Sequence, residues 1–231
     1  MESIARDGYR AAVGSHPGPV HFNLPFREPF LPESRHEPDN GERTVSPVAT
    51  HAASSSPDWS ALQKAGPGVI LAGAASPRAP QRWADGLFRV SDCLGWPILA
   101  DVLNPLRHAP GSAERVVTQY EAILAADGFS DPESGLLPRA VLQVGILPTA
   151  KNLREWASSF SGLYWQWSPQ PAGLNPGRVP FTWIPGSPED AIELPAGVSR
   201  DPFRARWLEC ERTVARKVAS WLESVPDHFE G

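Results

Sequence analysis

Apolar residues fall along this chain in two alternating rhythms. Unbroken runs read as strands covered on both faces: GVILAG from Gly68, WPILADVL from Trp96 to Leu103, AVLQVGI from Ala140 to Ile146, and LYWQWSP from Leu163 to Pro169. FTWIPG, Phe181 to Gly186, reads as a shorter fifth strand. Between them the spacing turns helical. A helix is expected over Trp83 to Val90, and in SAERVVTQYEAILAADG the residues Val116, Val117, Tyr120, Ile123 and Leu124 share one helical face, with Ser112 as the cap and Gly128 just past the end. In PTAKNLREWASSF, Thr149 is placed to cap a helix bearing Leu153, Trp156 and Phe160. The last helix starts with Asp201 as cap and Pro202 at the first position. It carries Phe203, Trp207, Cys210, Val214, Val218 and Trp221 at helical spacing, and Pro226 ends it. Strands separated by helices imply parallel crossovers, so residues 58–225 are predicted to form a three-layer α/β domain, with a short tail over 226–231.

The start of the chain does not fit that domain. Glu2 to Val13 has a weak apolar stripe and reads as a helix, and Val20 to Leu24, within GPVHFNLPFREPF, reads as a buried strand with no neighbours to pair with. From Arg27 to residue 57 periodicity vanishes among Pro29, Pro32, Pro38, Pro47 and Pro57, which predicts a linker. Residues 1–26 are therefore set apart from 58–225.

Composition narrows the classes. With 41% hydrophobic residues there is material for a real core, and a net charge of −5 without a basic cluster argues against nucleic acid as a partner. Cys93 and Cys210 lie far apart, outside any metal or disulfide spacing, and read as reduced thiols. No apolar run is long enough for a membrane span, and no signal-peptide core is present at ESIARDGYR, so a cytoplasmic setting is expected.

In a parallel sheet, ligands gather at the carboxyl ends of the strands, here Ala74 to Arg78, Asp101 to Arg107, and Pro148 to Asn152. The glycines of GPGVILAG precede their strand, the wrong side for a dinucleotide loop. Asp101, followed by Asn104 and Arg107, is either a ligand contact or a turn residue. The six histidines show no ligand spacing, and no G-x-S-x-G or Walker loop occurs. Lys151, between a strand exit and a helix start, suits a carboxylate or phosphate, because a cation there adds to the exposed N–H groups and the helix dipole. The alternative is a solvated first-turn lysine.

GPVHFNLPFREPFLP, GVILAG, LGWPILADVLNPLR and VLQVGILPTAKNLREW, in this order, resemble the 2-succinyl-5-enolpyruvyl-6-hydroxy-3-cyclohexene-1-carboxylate synthases, thiamine-diphosphate enzymes of menaquinone and phylloquinone biosynthesis. The resemblance implies a partial chain: the terminal helix and strand of a pyrimidine-binding domain (1–26), a linker (27–57) and a central Rossmann-like domain (58–225). The pyrimidine-binding sheet and the pyrophosphate-binding domain are missing. It further implies that thiamine diphosphate and Mg2+ serve the complete, homo-oligomeric enzyme, which joins decarboxylated 2-oxoglutarate to isochorismate. No cofactor is expected to bind this chain alone, because its Asp-Gly pairs, Asp7-Gly8, Asp85-Gly86 and Asp127-Gly128, lack the flanks of the family's G-D-G…N element. Lys151 matches the family's basic substrate-binding residue, with Asn152, Asn104 and Arg107 as further substrate-binding candidates. Ala150 and Asn104 stand where serine is common, and Asn152 where some members carry a second basic residue. The alternative is a free-standing, non-catalytic α/β ligand-binding or scaffold protein derived from the central domain.

Overall fold

The fold is built around Gly68–Ala72 (β1), whose residues are buried throughout in a computed structural model describing residues 2–13, 18–23, 58–169, 180–190, 194 and 202–225. The chain divides into two units, Met1–Ala53 and Ser54–Gly231.

In the second unit, a short helix Trp59–Lys64 (α2), capped by the Asp58 carboxylate, precedes β1. Helix Pro80–Leu94 (α3) follows, and then strand Ile98–Ala100 (β2), the two-residue strand Val116–Val117 (β3), helix Tyr120–Leu124 (α4) and strand Ala140–Val144 (β4). Helix Lys151–Ser159 (α5), strands Leu163–Ser168 (β5) and Thr182–Pro185 (β6), and the long helix Pro202–Ser224 (α6) complete it. All strand pairs are parallel, in the order β3-β2-β1-β4-β5-β6.

Successive strand residues face opposite sides, and each side has its own core. Ile70, Ala72, Ile98, Leu142 and Trp167 pack against α2 and α3 through Leu62, Trp83 and Leu87. Val69, Leu71, Leu99, Val141 and Tyr164 pack against α4, α5 and α6 through Ile123, Leu153 and Trp207. This is the three-layer α/β arrangement expected from the unbroken apolar runs. Helix α3 ends at Gly95, whose φ of 71° is the left-handed value a side chain rarely adopts, with its N–H donating to Ser91 O.

Three elements differ from expectation. The helix read from Ser112 through Leu124 is instead a 3-10 turn at Ser112–Glu114, strand β3 and the short helix α4. Val116 and Val117 pair in register with Ile98 and Leu99, and the Glu211 carboxylate of α6 takes the N–H groups of Thr118 and Gln119 that a continuous helix would have used internally. The strand read over Trp96 to Leu103 shortens to β2, because Asp101 turns the chain and leaves Val102 and Leu103 exposed. In the first unit, helix Glu2–Val13 (α1) forms as expected. Residues 18–23 form no strand, however, since among the described residues none pairs with them. Val20 and Phe22 are exposed, Gly18 N–H donates to Ala12 O, and the Phe22 ring lies against Gly8. Leu24, the expected linker, Asp201 and Pro226 fall outside the described residues.

Asp92 of α3 joins elements distant in sequence. Its carboxylate accepts from Arg115 (2.8 Å) and from Arg204 of α6 (2.8 Å), and Arg115 also lies over the Phe88 ring. Burial alone would push the Asp92 carboxyl up, but hydrogen bonds and charge from the two arginines hold it below its ordinary value. A lowered folded pKa contributes stability that is present above the unfolded value of about 3.9 and is lost as pH falls through the folded value. The urea midpoint of Asp92→Asn is therefore expected to lie below wild type at neutral pH, with the gap closing below about pH 4. A gap unchanged into strong acid would show that the charge contributes nothing.

Candidate functional site

Each of the three strand exits singled out by sequence has a distinct structure. The first, Ala74 to Arg78, lines a cavity of about 470 Å³ at the carboxyl ends of β1, β4 and β5, walled by Trp83 and Trp167, with Arg78 and Glu189 on its lining. Lys151, Asn152, Asn104 and Arg107 take no part in that lining.

The second exit is a turn built on its own side chains. Asp101 is 1% exposed. Its Oδ1 accepts from Leu103 N–H at 2.9 Å, and its Oδ2 accepts from Thr149 N–H at 2.8 Å and Thr149 Oγ1–H at 3.0 Å. Burial would raise this carboxyl, but those hydrogen bonds and the charge of Arg107 lower it overall, so it is ionised at neutral pH. Asn104 is likewise buried: its Oδ1 accepts from Leu106 N–H, and its Nδ2 donates to Gly73 O at 2.6 Å, tying the second exit to the first. Arg107 is half-buried, and its Nη1 reaches Ala100 O at 3.4 Å.

The third exit begins at Gly145 (φ 66°), which ends β4. The cap expected of Thr149 goes elsewhere. Ala150 holds the position before α5 and has no side-chain cap, while the Thr149 hydroxyl is committed to Asp101. The N–H of Asn152 donates to Glu121 Oε1 of α4 at 2.9 Å, and Asn152 Nδ2 lies 3.5 Å from Glu121 O. Two of the chain's own carboxylates, 48 and 31 residues away in sequence, thus serve the start of α5. The Lys151 side chain projects beyond them, 82% exposed, with Nζ 3.9 Å from Glu155.

The second and third exits therefore meet: Asn104 and Arg107 lie beside Asp101 and Asn152 beside Glu121, while among the described residues the Lys151 side chain reaches only Glu155. Tyr120, next to Glu121, is buried, and burial, with the nearby Asp101 charge, pushes its phenol up to about 12 despite Arg107. It stays protonated at neutral pH. Glu121 was invisible to sequence reading, since no local spacing links it to Asn152. Among the described residues no group of three or more His, Cys, Asp or Glu converges to hold a metal ion. Nor, among the described residues, is any helix long and apolar enough to cross a membrane.

No family model matches the chain. Curated relatives do. The chain is 31% identical over 249 residues to the 2-succinyl-5-enolpyruvyl-6-hydroxy-3-cyclohexene-1-carboxylate synthase of Synechococcus sp. (strain JA-3-3Ab), covering 96% of this chain and 40% of the relative. It is 32% identical over 252 residues to the synthase of the same name from Nostoc sp. (strain PCC 7120 / SAG 25.82 / UTEX 2576), covering 99% and 41%. The same name attaches to a relative from Synechococcus elongatus, 30% identical over the whole of this chain and 40% of the relative. The chain spans about two-fifths of the length of the curated relatives it matches.

Proposed function

We propose that this chain, a partial chain of the 2-succinyl-5-enolpyruvyl-6-hydroxy-3-cyclohexene-1-carboxylate synthase type, is the portion of such a synthase that carries the central α/β domain. The observation behind this reading is the extent of the similarity: 96% or more of the chain aligns with about two-fifths of each of the three relatives described. The complete homo-oligomeric enzyme would join a decarboxylated 2-oxoglutarate unit to isochorismate, in menaquinone or phylloquinone biosynthesis. Thiamine diphosphate with Mg2+, when bound, would supply the electron sink for that decarboxylation. Pyrimidine- and pyrophosphate-binding portions hold it, and the central domain's part is electrostatic. Both substrates are rich in carboxylates, and Lys151 offers them a cation at a strand exit where the Thr149 and Asn152 N–H groups are already taken by Asp101 and Glu121. By this reading the isolated chain turns nothing over.

The test is a chimera in which this chain replaces the matching segment of the Nostoc relative. The expected result is consumption of 2-oxoglutarate and isochorismate that requires thiamine diphosphate and Mg2+. A folded, cofactor-binding chimera without turnover would count against the proposal.

A further inference from the structure

The start of α5 is held by side chains from elsewhere in the domain rather than by its own cap. Ala150 offers no capping group, and Lys151 is the first residue of the helix. Two residues before it, Thr149 gives both its N–H and its hydroxyl to one oxygen of Asp101, at 2.8 and 3.0 Å. Immediately after it, Asn152 N–H is taken by Glu121. The chain is thus held two residues before Lys151, from the turn after β2, and one residue after it, from α4.

The carboxylate of Asp101 is almost wholly buried, and its second oxygen holds Leu103 N–H, so it cannot turn away from Thr149 without breaking its own turn. Glu121 has the looser hold. Its Oε2 is buried with no hydrogen-bond partner, leaving the Asn152 contact to carry that side chain's attachment. A lysine side chain has four rotatable bonds, and its reach is useful only if its Cα is fixed.

We propose that Asp101, with Glu121 as a second point of attachment, is a positioning residue that fixes the loop before α5 and through it the placement of Lys151. As regards catalysis this rests on the synthase reading, but the mechanical claim does not. Asp101 touches no substrate in this role. An amide in its place would keep one acceptor oxygen and turn an NH2 group toward either the Thr149 or the Leu103 N–H, so the loop would lose part of its hold while side-chain volume stayed nearly constant.

Two measurements decide it. The first is amide hydrogen exchange on the purified 231-residue chain. Asp101→Asn is expected to speed exchange at Thr149 and Asn152 by about tenfold or more while β1 and β4 keep wild-type protection. Should Asp101→Asn fail to fold, Thr149→Val removes only the hydroxyl contact and should speed exchange at the same amides, and Thr149→Ser should restore it.

The second is coupling in the chimeric synthase. Asp101→Asn should lower kcat/KM by up to about 100-fold, as misplacement of a reacting contact does. In its background Lys151→Ala should then cost much less than it does alone, because the lysine is already displaced. Wild-type exchange at Thr149 and Asn152 in both Asp101→Asn and Thr149→Val overturns the proposal whatever the activity. Equal cost of Lys151→Ala in the two backgrounds overturns the catalytic half. If the chimera is inactive from the outset yet exchange rises at those amides, the synthase reading falls and the clamp stands.

Discussion

Replacing Trp96 by alanine is expected to cost this protein about 3–5 kcal/mol, the range for deleting a large aromatic side chain from a packed core. Trp96 lies fully buried just before β2, in the core between the sheet and α2/α3. Its ring rests on Gly68 so closely that a β-carbon there would come within 2.5 Å of ring atoms. Its indole N–H donates to Gly66 O at 3.0 Å, so truncation opens a cavity and also strands a carbonyl at the entry to the central strand. Domains of this kind are stable by about 5–15 kcal/mol in total, so the variant should unfold at a far lower urea concentration than wild type. The contrast is Trp221, 60% exposed near the end of α6, whose replacement by alanine should change stability by only about 0.5 kcal/mol. A converse follows at Gly68, where alanine should destabilise by about 1–3 kcal/mol because the ring has nowhere to go. Comparable small shifts for Trp96→Ala and Trp221→Ala would mean that the β1–Trp96 contact is not part of the working core.

What the sequence disclosed and what it withheld separate along one physical line. Runs such as GVILA and AVLQV announce themselves because a strand buried on both faces needs no polar alternation, and their parallel pairing follows from the helices between them. Val116 and Val117 were misread because their spacing with Tyr120, Ile123 and Leu124 satisfies a helix. What overrides it is a pairing with Ile98 and Leu99 and a carboxylate at Glu211, 93 residues beyond Thr118. Thr149 fails as a cap for the same reason, its hydroxyl drawn off by Asp101 from 48 residues upstream. Asn104, Arg107, Lys151 and Asn152 are legible as strand-exit residues, but the links of the Asn104–Arg107 turn to Thr149 through Asp101, and of Asn152 to Glu121, depend on contacts that no local pattern encodes. The strand read at Val20 to Leu24 lacks a partner among the described residues, and a strand without one has nothing to satisfy its backbone.

Lys151→Ala in the chimeric synthase is expected to lower kcat/KM by roughly 10- to 150-fold, equivalent to about 1.5–3 kcal/mol, the loss typical when one charged hydrogen-bond partner is removed. The side chain is 82% exposed, and its contact with Glu155, at 3.9 Å between two exposed groups, adds little to stability. The substitution should therefore leave the unfolding midpoint and thiamine diphosphate affinity near their wild-type values. The Asn152 N–H at the start of α5 is already taken by Glu121, and the Thr149 N–H before the helix by Asp101, so on the proposed reading the ammonium of Lys151 is the group left to meet a substrate carboxylate through its side chain. Arg154, exposed on α5 and three positions along, is the control, since a general attraction of anions to this helix would make its loss equally costly. Arg154→Ala should change kcat/KM by less than about threefold, the scale of a screened surface charge. Equal and small effects at the two positions would make Lys151 a solvated first-turn lysine and remove it from the site, leaving the family resemblance untouched.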